Sequence, residues 1–216
     1  MATRTESTGK CALCGASFSK RQMLRHLAQC AYPDGRNVAA VIQVRVDAAG
    51  TPYWLDLDVN ATAPLGELDE FLRDIWLDCC DHLSAFDVGR ERYSMAPMER
   101  SERGMEVRVS KSLPPVGEVF SYEYDFGSTT YLRLKVVAHR QAPSRRGTVR
   151  LLARNDAPAW KCAECGQEAT ALCSICFYEE DDFFFCELHT ESHECGDERS
   201  LPVLNSPRMG VCAYGG

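Results

Sequence analysis

The chain of 216 residues has no apolar run approaching the ~20 residues that cross a bilayer as a helix. Its start, MATRTESTGK, is polar and lacks the apolar centre of a secretory signal. These two absences predict a cytoplasmic protein without membrane attachment, whose thiols stay reduced. Tandem repeats and low-complexity stretches are missing as well. So are a glycine-rich phosphate loop, a nucleophile elbow and a His-Glu-x-x-His helix, and no catalytic constellation takes their place. Positive charge is scarce. There are 24 Lys and Arg against 31 Asp and Glu, a net charge of −7.

That charge is uneven. Residues 1–36 hold Arg4, Lys10, Lys20, Arg21, Arg25 and Arg36 against Glu6 and Asp34, a local +4. Residues 158–216 are acidic, at −8, with a dense group at Glu179, Glu180, Asp181 and Asp182. Phosphate would be drawn to the head and repelled by the tail. With 45% hydrophobic residues, there is enough apolar material for a real core.

What the chain has in excess is cysteine. Nine of its twelve cysteines fall into metal-ligand spacings. The head carries Cys11-x2-Cys14 and His26-x3-Cys30. The tail carries Cys162-x2-Cys165, Cys173-x2-Cys176, and then Cys186-x2-His189-x3-His193-x-Cys195. Two residues separated by a short turn can both face one ion, and two such pairs fill four tetrahedral zinc positions. The count predicts about three Zn2+ ions per chain. In a reduced compartment, zinc is a better explanation of these thiols than a disulfide framework.

Three segments follow: a zinc-finger-like head over 1–36, a core over 37–156 and a two-zinc tail over 157–216. In the head, Cys11 and Cys14 are expected on a small hairpin, with His26 and Cys30 on one face of a helix. Lys20, Arg21, Gln22 and Arg25 could then touch nucleic acid, but one finger covers only about three base pairs. In the tail, the ligand pairs are expected to interleave as in cross-brace modules such as the B-box. One ion takes Cys162, Cys165, Cys186 and His189, and the other takes Cys173, Cys176, His193 and Cys195. The competing arrangement places the first four cysteines on one ion, and Cys212 could displace Cys195. Interleaving is favoured because it ties distant parts of a core-poor segment together. Cys79, Cys80 and His82 offer no fourth donor in sequence and are expected to be buried thiols beside a satisfied histidine.

The core reads as α+β. Residues 41–46 form a strand-like run. Residues 53–59 alternate apolar and acidic, as a half-buried strand does. A helix starts near Thr62 and Pro64 and buries Leu65, Leu68, Leu72, Ile75 and Cys79, with Glu67, Asp69 and Glu70 in its first turns. Phe120, Tyr122, Tyr124 and Phe126 share one strand face, and Leu132, Leu134 and Val136 share the next. A turn over 127–129 would pair Phe126 with Thr130 and Glu123 with Arg133. Another strand is expected over 148–152.

Several stretches resemble a known family. They are His82 to Phe86 (His-Leu-Ser-Ala-Phe), Tyr122-x-Tyr124-Asp125-Phe126-Gly127, Leu152 to Asn155, and Asn205 to Tyr214 with Arg208, Gly210 and Cys212. Together they resemble the plasmid Ri "open reading frame three"-like family, over about residues 38–214. Relatives continue the Tyr-x-Tyr-Asp-Phe-Gly run with Asp-x-Trp, where this chain has Ser128-Thr129-Thr130. The resemblance implies an α+β domain with a mixed sheet and carries no established reaction. The expected function is a non-enzymatic zinc-binding adaptor with a protein partner. The alternatives are a nucleic-acid-associated accessory of mobile elements using the basic head, and an enzyme with a site in the core near Tyr124 and Asp125.

Overall fold

The computed structural model describes residues 7–32, 37–144, 146–179 and 182–216. The end of the head segment (Pro33 to Arg36) and part of the acidic group (Glu180 and Asp181) lie outside the described residues. The fold is α+β, and the chain forms two compact units. These do not follow the three sequence segments. The head belongs with the core, over residues up to 74 and 82–156, while residues 75–81 group with 157–216.

The first unit contains β1 (Thr8–Cys11), β2 (Ser17–Ser19), α1 (Lys20–Leu27), β3 (Val38–Ala48), β4 (Trp54–Asn60), α2 (Gly66–Leu72) and β5 (Ser84–Val88). It continues with β6 (Glu91–Ser94), β7 (Glu102–Arg103), α3 (Val109–Ser112), β8 (Val119–Tyr124), β9 (Thr130–Pro143) and β10 (Val149–Asn155). The ten strands make one mixed sheet in the order β2-β1-β10-β4-β3-β9-β8-β5-β6-β7. Among the described residues, only the β6–β7 pairing of this sheet is parallel.

The head is part of this sheet. β1 pairs with β10, setting Gly9 opposite Asn155 and Cys11 opposite Ala153. Helix α1 is amphipathic. Its Met23 and Leu27 are buried in a cluster with Cys11, Trp54, Leu152 and Ala153. A reciprocal cap starts the helix: Ser19 Oγ accepts from the Gln22 amide, and Gln22 Oε1 accepts from the Ser19 amide. An isolated helix of eight residues is unstable in water, so this packing supplies the support.

Docking the head changes what β4 must bury. The alternation over 53–59 predicts a half-buried strand with acids facing water. In the structure Asp56 is 0% exposed and Asp58 is 2% exposed, because the head covers the acidic face. Each acid has a cationic partner. Arg45, the cross-strand neighbour of Asp56, grips both its oxygens and donates a further bond to the Lys20 carbonyl of α1. Arg140 donates to Asp58 Oδ1 and to the Leu27 carbonyl. Tyr32 donates its hydroxyl to Asp58 Oδ2, and its ring lies between the guanidiniums of Arg140 and Arg150, at 5.3 and 5.2 Å. Burial, and then the Asp58 carboxylate, push the Tyr32 hydroxyl well above its ordinary range.

The hairpin of β8 and β9 differs from the expected register by two residues. Tyr124 pairs with Thr130 and Tyr122 with Leu132, leaving five residues in the turn. The even shift preserves the inward faces, so the pattern of Tyr122, Tyr124, Leu132 and Leu134 could not detect it. Asp125 causes the early exit. Its amide donates to the Leu83 carbonyl, its φ is 63°, and its Oδ1 accepts from the Gly127 amide. Phe126 leaves the sheet and is 41% exposed. Glu123 faces Tyr131 instead of Arg133, and binds Arg92 at 3.0 Å.

Helix α2 buries Leu68 and Leu72 as expected, but it passes into a π-helical turn over Arg73–Leu77. The wider turn shifts the apolar phase, so Trp76 and Leu77 are buried while Ile75 and Cys79 are only half-buried. Asp69, expected as a dipole-stabilising acid of the first turn, is itself buried.

The second unit contains β11 (Ala171–Cys173), α4 (Ser174–Glu179), β12 (Phe184–Phe185), α5 (Glu187–Ser192) and β13 (Ser200–Pro202). Its three strands run β12-β11-β13, all antiparallel. Its buried cluster is small: Cys162, Cys173, Cys176 and Phe185, with Phe183, Cys186 and Cys195 against it. Its aromatic side chains pack on one another or on a candidate ligand. Trp160 stacks on Phe184 at 4.6 Å, and Phe185 lies 4.3 Å from the His193 ring.

Candidate metal centres

The twelve candidate ligands of the head and tail gather into three sets of four. In each set the donor atoms lie within 4.8 Å of one another.

The first set is Cys11, Cys14, His26 and Cys30. Cys11 ends β1, and Cys14 follows in a turn closed by Gly15 N–H to the Cys11 carbonyl, with Gly15 at φ 77°. A left-handed residue is needed there, which glycine supplies without strain. His26 lies on α1 and is stacked by Phe18 at 4.3 Å. Cys30 lies three residues beyond the helix, where a helical position was expected, and its amide still bonds the His26 carbonyl. Cys11 and Cys30 sulfurs are 3.9 Å apart, and Cys14 Sγ is 3.3 Å from His26 Nε2.

The second set is Cys162, Cys165, Cys186 and His189, and the third is Cys173, Cys176, His193 and Cys195. This is the interleaved order. The Cys162–Cys165 turn repeats the head's geometry, with Gly166 N–H on the Cys162 carbonyl and φ 71°. Both turns read Cys-x2-Cys-Gly, a signal visible in the sequence. Cys162 and Cys186 approach His189 Nδ1 at 3.4 and 3.3 Å, and Cys165 lies 3.8 Å from Cys186. In the third set Cys176 lies 3.2 Å from His193 Nε2 and 3.9 Å from Cys195.

These distances set the clusters apart from disulfides and suit an ion held between them. Sulfurs 3.8–3.9 Å apart are far beyond a disulfide bond of ~2.05 Å. They match the edge of a tetrahedron with zinc–sulfur bonds of ~2.3 Å, roughly 3.8 Å. The local charges fit the same reading. Burial and the nearby thiols push Cys30 and Cys176 up to about 12 in the absence of a cation. Burial also acts to raise Cys162, but backbone N–H groups of Cys186, Cys165 and Glu164 outweigh it and bring the thiol to about 6. A site that holds several thiolates this close is stabilised by a soft divalent cation, and sulfur-rich donors select against Mg2+ and Ca2+.

A fourth concentration of thiols was missed in sequence. Cys212 stands apart from the third set; its sulfur is 4.0 Å from that of Cys80, with Cys79 beside them. Cys80 is exposed and Cys79 only half-buried, so these are not core thiols. The separation of 132 residues between Cys80 and Cys212 hid the pairing.

The Tyr-x-Tyr-Asp run builds architecture in the first unit. Asp69 Oδ1 accepts from the Tyr122 hydroxyl at 2.7 Å and from Ser84 Oγ at 2.6 Å, while Oδ2 accepts from Arg73 Nε at 2.8 Å. Arg73 also donates to the His82 carbonyl and lies 4.9 Å over the Tyr124 ring. Burial, then Asp69, hold the Tyr122 hydroxyl well above its ordinary range. Tyr122 and Tyr124 are both 0% exposed. Two surface clefts in this unit are lined by residues such as Val41, His139 and Arg140 of β3 and β9, or Ala39 of β3, Asp58 of β4 and Arg150 of β10; neither includes Tyr124 or Asp125.

The fold and these clusters define an α+β sheet protein whose Cys/His sets could hold metal ions. The chain belongs to the family described as "Plasmid pRiA4b ORF-3-like protein", matched over residues 38–170. The match takes in the sheet from β3 onward and the first tail pair, Cys162 and Cys165; the remaining ligands lie outside it. No curated protein matches the chain. Among solved structures, a protein of unknown function, MM3350 from Methanosarcina mazei Go1, is similar. The identity is 14%, over 74% of this chain and 85% of that one, with a TM-score of 0.46. Among the described residues no helix is long and apolar enough to cross a membrane.

Proposed function

We propose that this chain is a non-enzymatic, cytoplasmic zinc protein that acts as an interaction adaptor, with its partner bound by the tail. Three of its Cys/His sets hold one zinc ion each, through Cys11, Cys14, His26 and Cys30; Cys162, Cys165, Cys186 and His189; and Cys173, Cys176, His193 and Cys195. The observation that carries the reading is that each set supplies three sulfurs and one imidazole. Four protein donors saturate tetrahedral zinc, whereas a catalytic zinc keeps a position for water. Such ions stabilise folding and leave the surface for recognition. Ile175, Tyr178 and Leu188 supply exposed apolar area on the tail, at 37, 61 and 68%.

A nucleic-acid role through the head is less well supported. Lys20 is paired with Asp47 at 2.6 Å, and Ser19 and Gln22 are committed to the helix cap. Only Arg21 and Arg25 of the four basic-face candidates remain exposed and unassigned to such a contact.

Zinc-edge X-ray absorption on the purified protein tests the closed-site reading. A shell of sulfur and nitrogen alone is expected from these three sets; a zinc–oxygen shell from bound water that persists in Cys80→Ser overturns it. Affinity purification then tests the adaptor. A copurifying protein should be lost with Tyr178→Ala plus Leu188→Ala. Salt-sensitive retention of nucleic acid, abolished by Arg21→Ala plus Arg25→Ala, would replace the adaptor reading with the accessory one.

A further inference from the structure

The thiols of the second unit that the three zinc sets leave out have a geometry of their own. Cys79 and Cys80 follow the π-helical turn, and Cys212 returns in the 3-10 turn Val211–Ala213. The three sulfurs lie within 4.8 Å of one another. The Cys80–Cys212 separation of 4.0 Å is again near the roughly 3.8 Å edge of a zinc–sulfur tetrahedron and well beyond a ~2.05 Å disulfide.

The backbone is held in an unfavourable conformation to present Cys212. Its φ and ψ are 53° and 37°, and Ala213 follows at φ 53°. A left-handed conformation is unfavourable for a residue other than glycine, and two in succession are rarer still. Such strain persists only where the surroundings fix it. Here the Cys212 amide donates to the Tyr178 hydroxyl at 3.2 Å. Gly210 closes against the Phe177 ring, where a Cβ would come within 2.9 Å. Ser206 Oγ donates to the Trp76 carbonyl at 2.6 Å and accepts from the Arg208 amide. Arg208, 0% exposed, aims Nη2 at Cys79 Sγ at 3.6 Å.

We infer that Cys79, Cys80 and Cys212 form a fourth metal site, for a thiophilic divalent cation of the zinc class, which fastens the C-terminal turn to the segment 75–81. Three sulfurs and no carboxylate exclude Mg2+ and Ca2+ as its occupant. Three thiolates leave one tetrahedral position for a further donor. The site shares no residue with the three Cys3His sets.

Native mass spectrometry of the full chain, loaded with zinc under reducing conditions, tests it. Four ions are expected for the unaltered protein, and three for Cys80→Ser or Cys212→Ser. Cys173→Ser, which removes a ligand of a different set, should lose an ion of its own. An unaltered chain that saturates at three ions, with Cys80→Ser unchanged at three, overturns the inference. Differential alkylation of the unaltered protein decides the matter if the variants do not fold. Cys79, Cys80 and Cys212 should resist N-ethylmaleimide until a chelator is added. Immediate labelling of all three, or a Cys80–Cys212 disulfide in peptides from the zinc-loaded protein, also overturns it.

Discussion

Replacing Met23 by alanine tests whether the head is an appendage or part of the sheet unit. Met23 is 0% exposed and packs in the cluster of Cys11, Leu27, Trp54, Leu152 and Ala153. Deleting a buried methionine side chain costs about 2–5 kcal/mol, the transfer of its atoms plus the cavity left behind. Loosening α1 also withdraws the Lys20 carbonyl from Arg45 and the Leu27 carbonyl from Arg140, two cations whose carboxylate partners are buried. A loss of roughly 3 kcal/mol is therefore expected from the unfolding of the entire first unit. For a unit of this size that lowers Tm by about 6–12 °C. Thermal unfolding followed by tryptophan fluorescence reads it, because Trp54 sits under the helix with its indole N–H on Ser7. Arg25→Ala, exposed on the same helix, should stay within about 0.5 kcal/mol. If Met23→Ala shifts the main transition no more than Arg25→Ala does, the head folds separately and the reasoning fails.

Asp69→Ala should destabilise the first unit by about 3–5 kcal/mol in urea unfolding, because it strands the buried Arg73 cation and the Tyr122 and Ser84 hydroxyls; zinc content should not change. Unchanged stability would remove the architectural role given to the Tyr-x-Tyr-Asp run. Tyr32 and Tyr122 are both held above the usual tyrosine range, by burial first and then by Asp58 or Asp69. Their stabilising bonds are complete below pH ~10 and are lost as pH rises through the raised values. In a 295 nm titration, Tyr32→Phe and Tyr122→Phe should each remove one late-ionising group. Loss of an early-ionising group in either variant would contradict the burial argument. Chelation should unfold the second unit while the β-sheet circular dichroism of the first survives, with recovery on adding Zn2+. The tail's buried cluster is mostly candidate ligand sulfurs, so a tail that stays folded without metal would refute its dependence on the ions.

The Cys/His clusters were the most legible part of the molecule. Short-range spacing determines which residues can reach one ion, and Cys-x2-Cys-Gly in both turns specifies a left-handed corner. The inward faces of β8 and β9 and the start of α2 were legible for the same reason, since side-chain periodicity is local. Pairing register was not. A two-residue slip leaves the faces unchanged, and only the contact of Asp125 with Leu83 ends the strand early.

By itself, then, the sequence determined the α+β class, the family resemblance and the interleaved order of the Cys/His clusters, all of which rest on nearest-neighbour geometry. Tertiary structure alone decided that the head lies on the sheet, that Asp56 and Asp58 are buried ion partners instead of surface acids, and that Cys212 meets Cys80. Those outcomes depend on which surfaces come together across 100 or more residues, or on a helix covering a face that would otherwise be wet. Charge alternation along one strand carries no record of either.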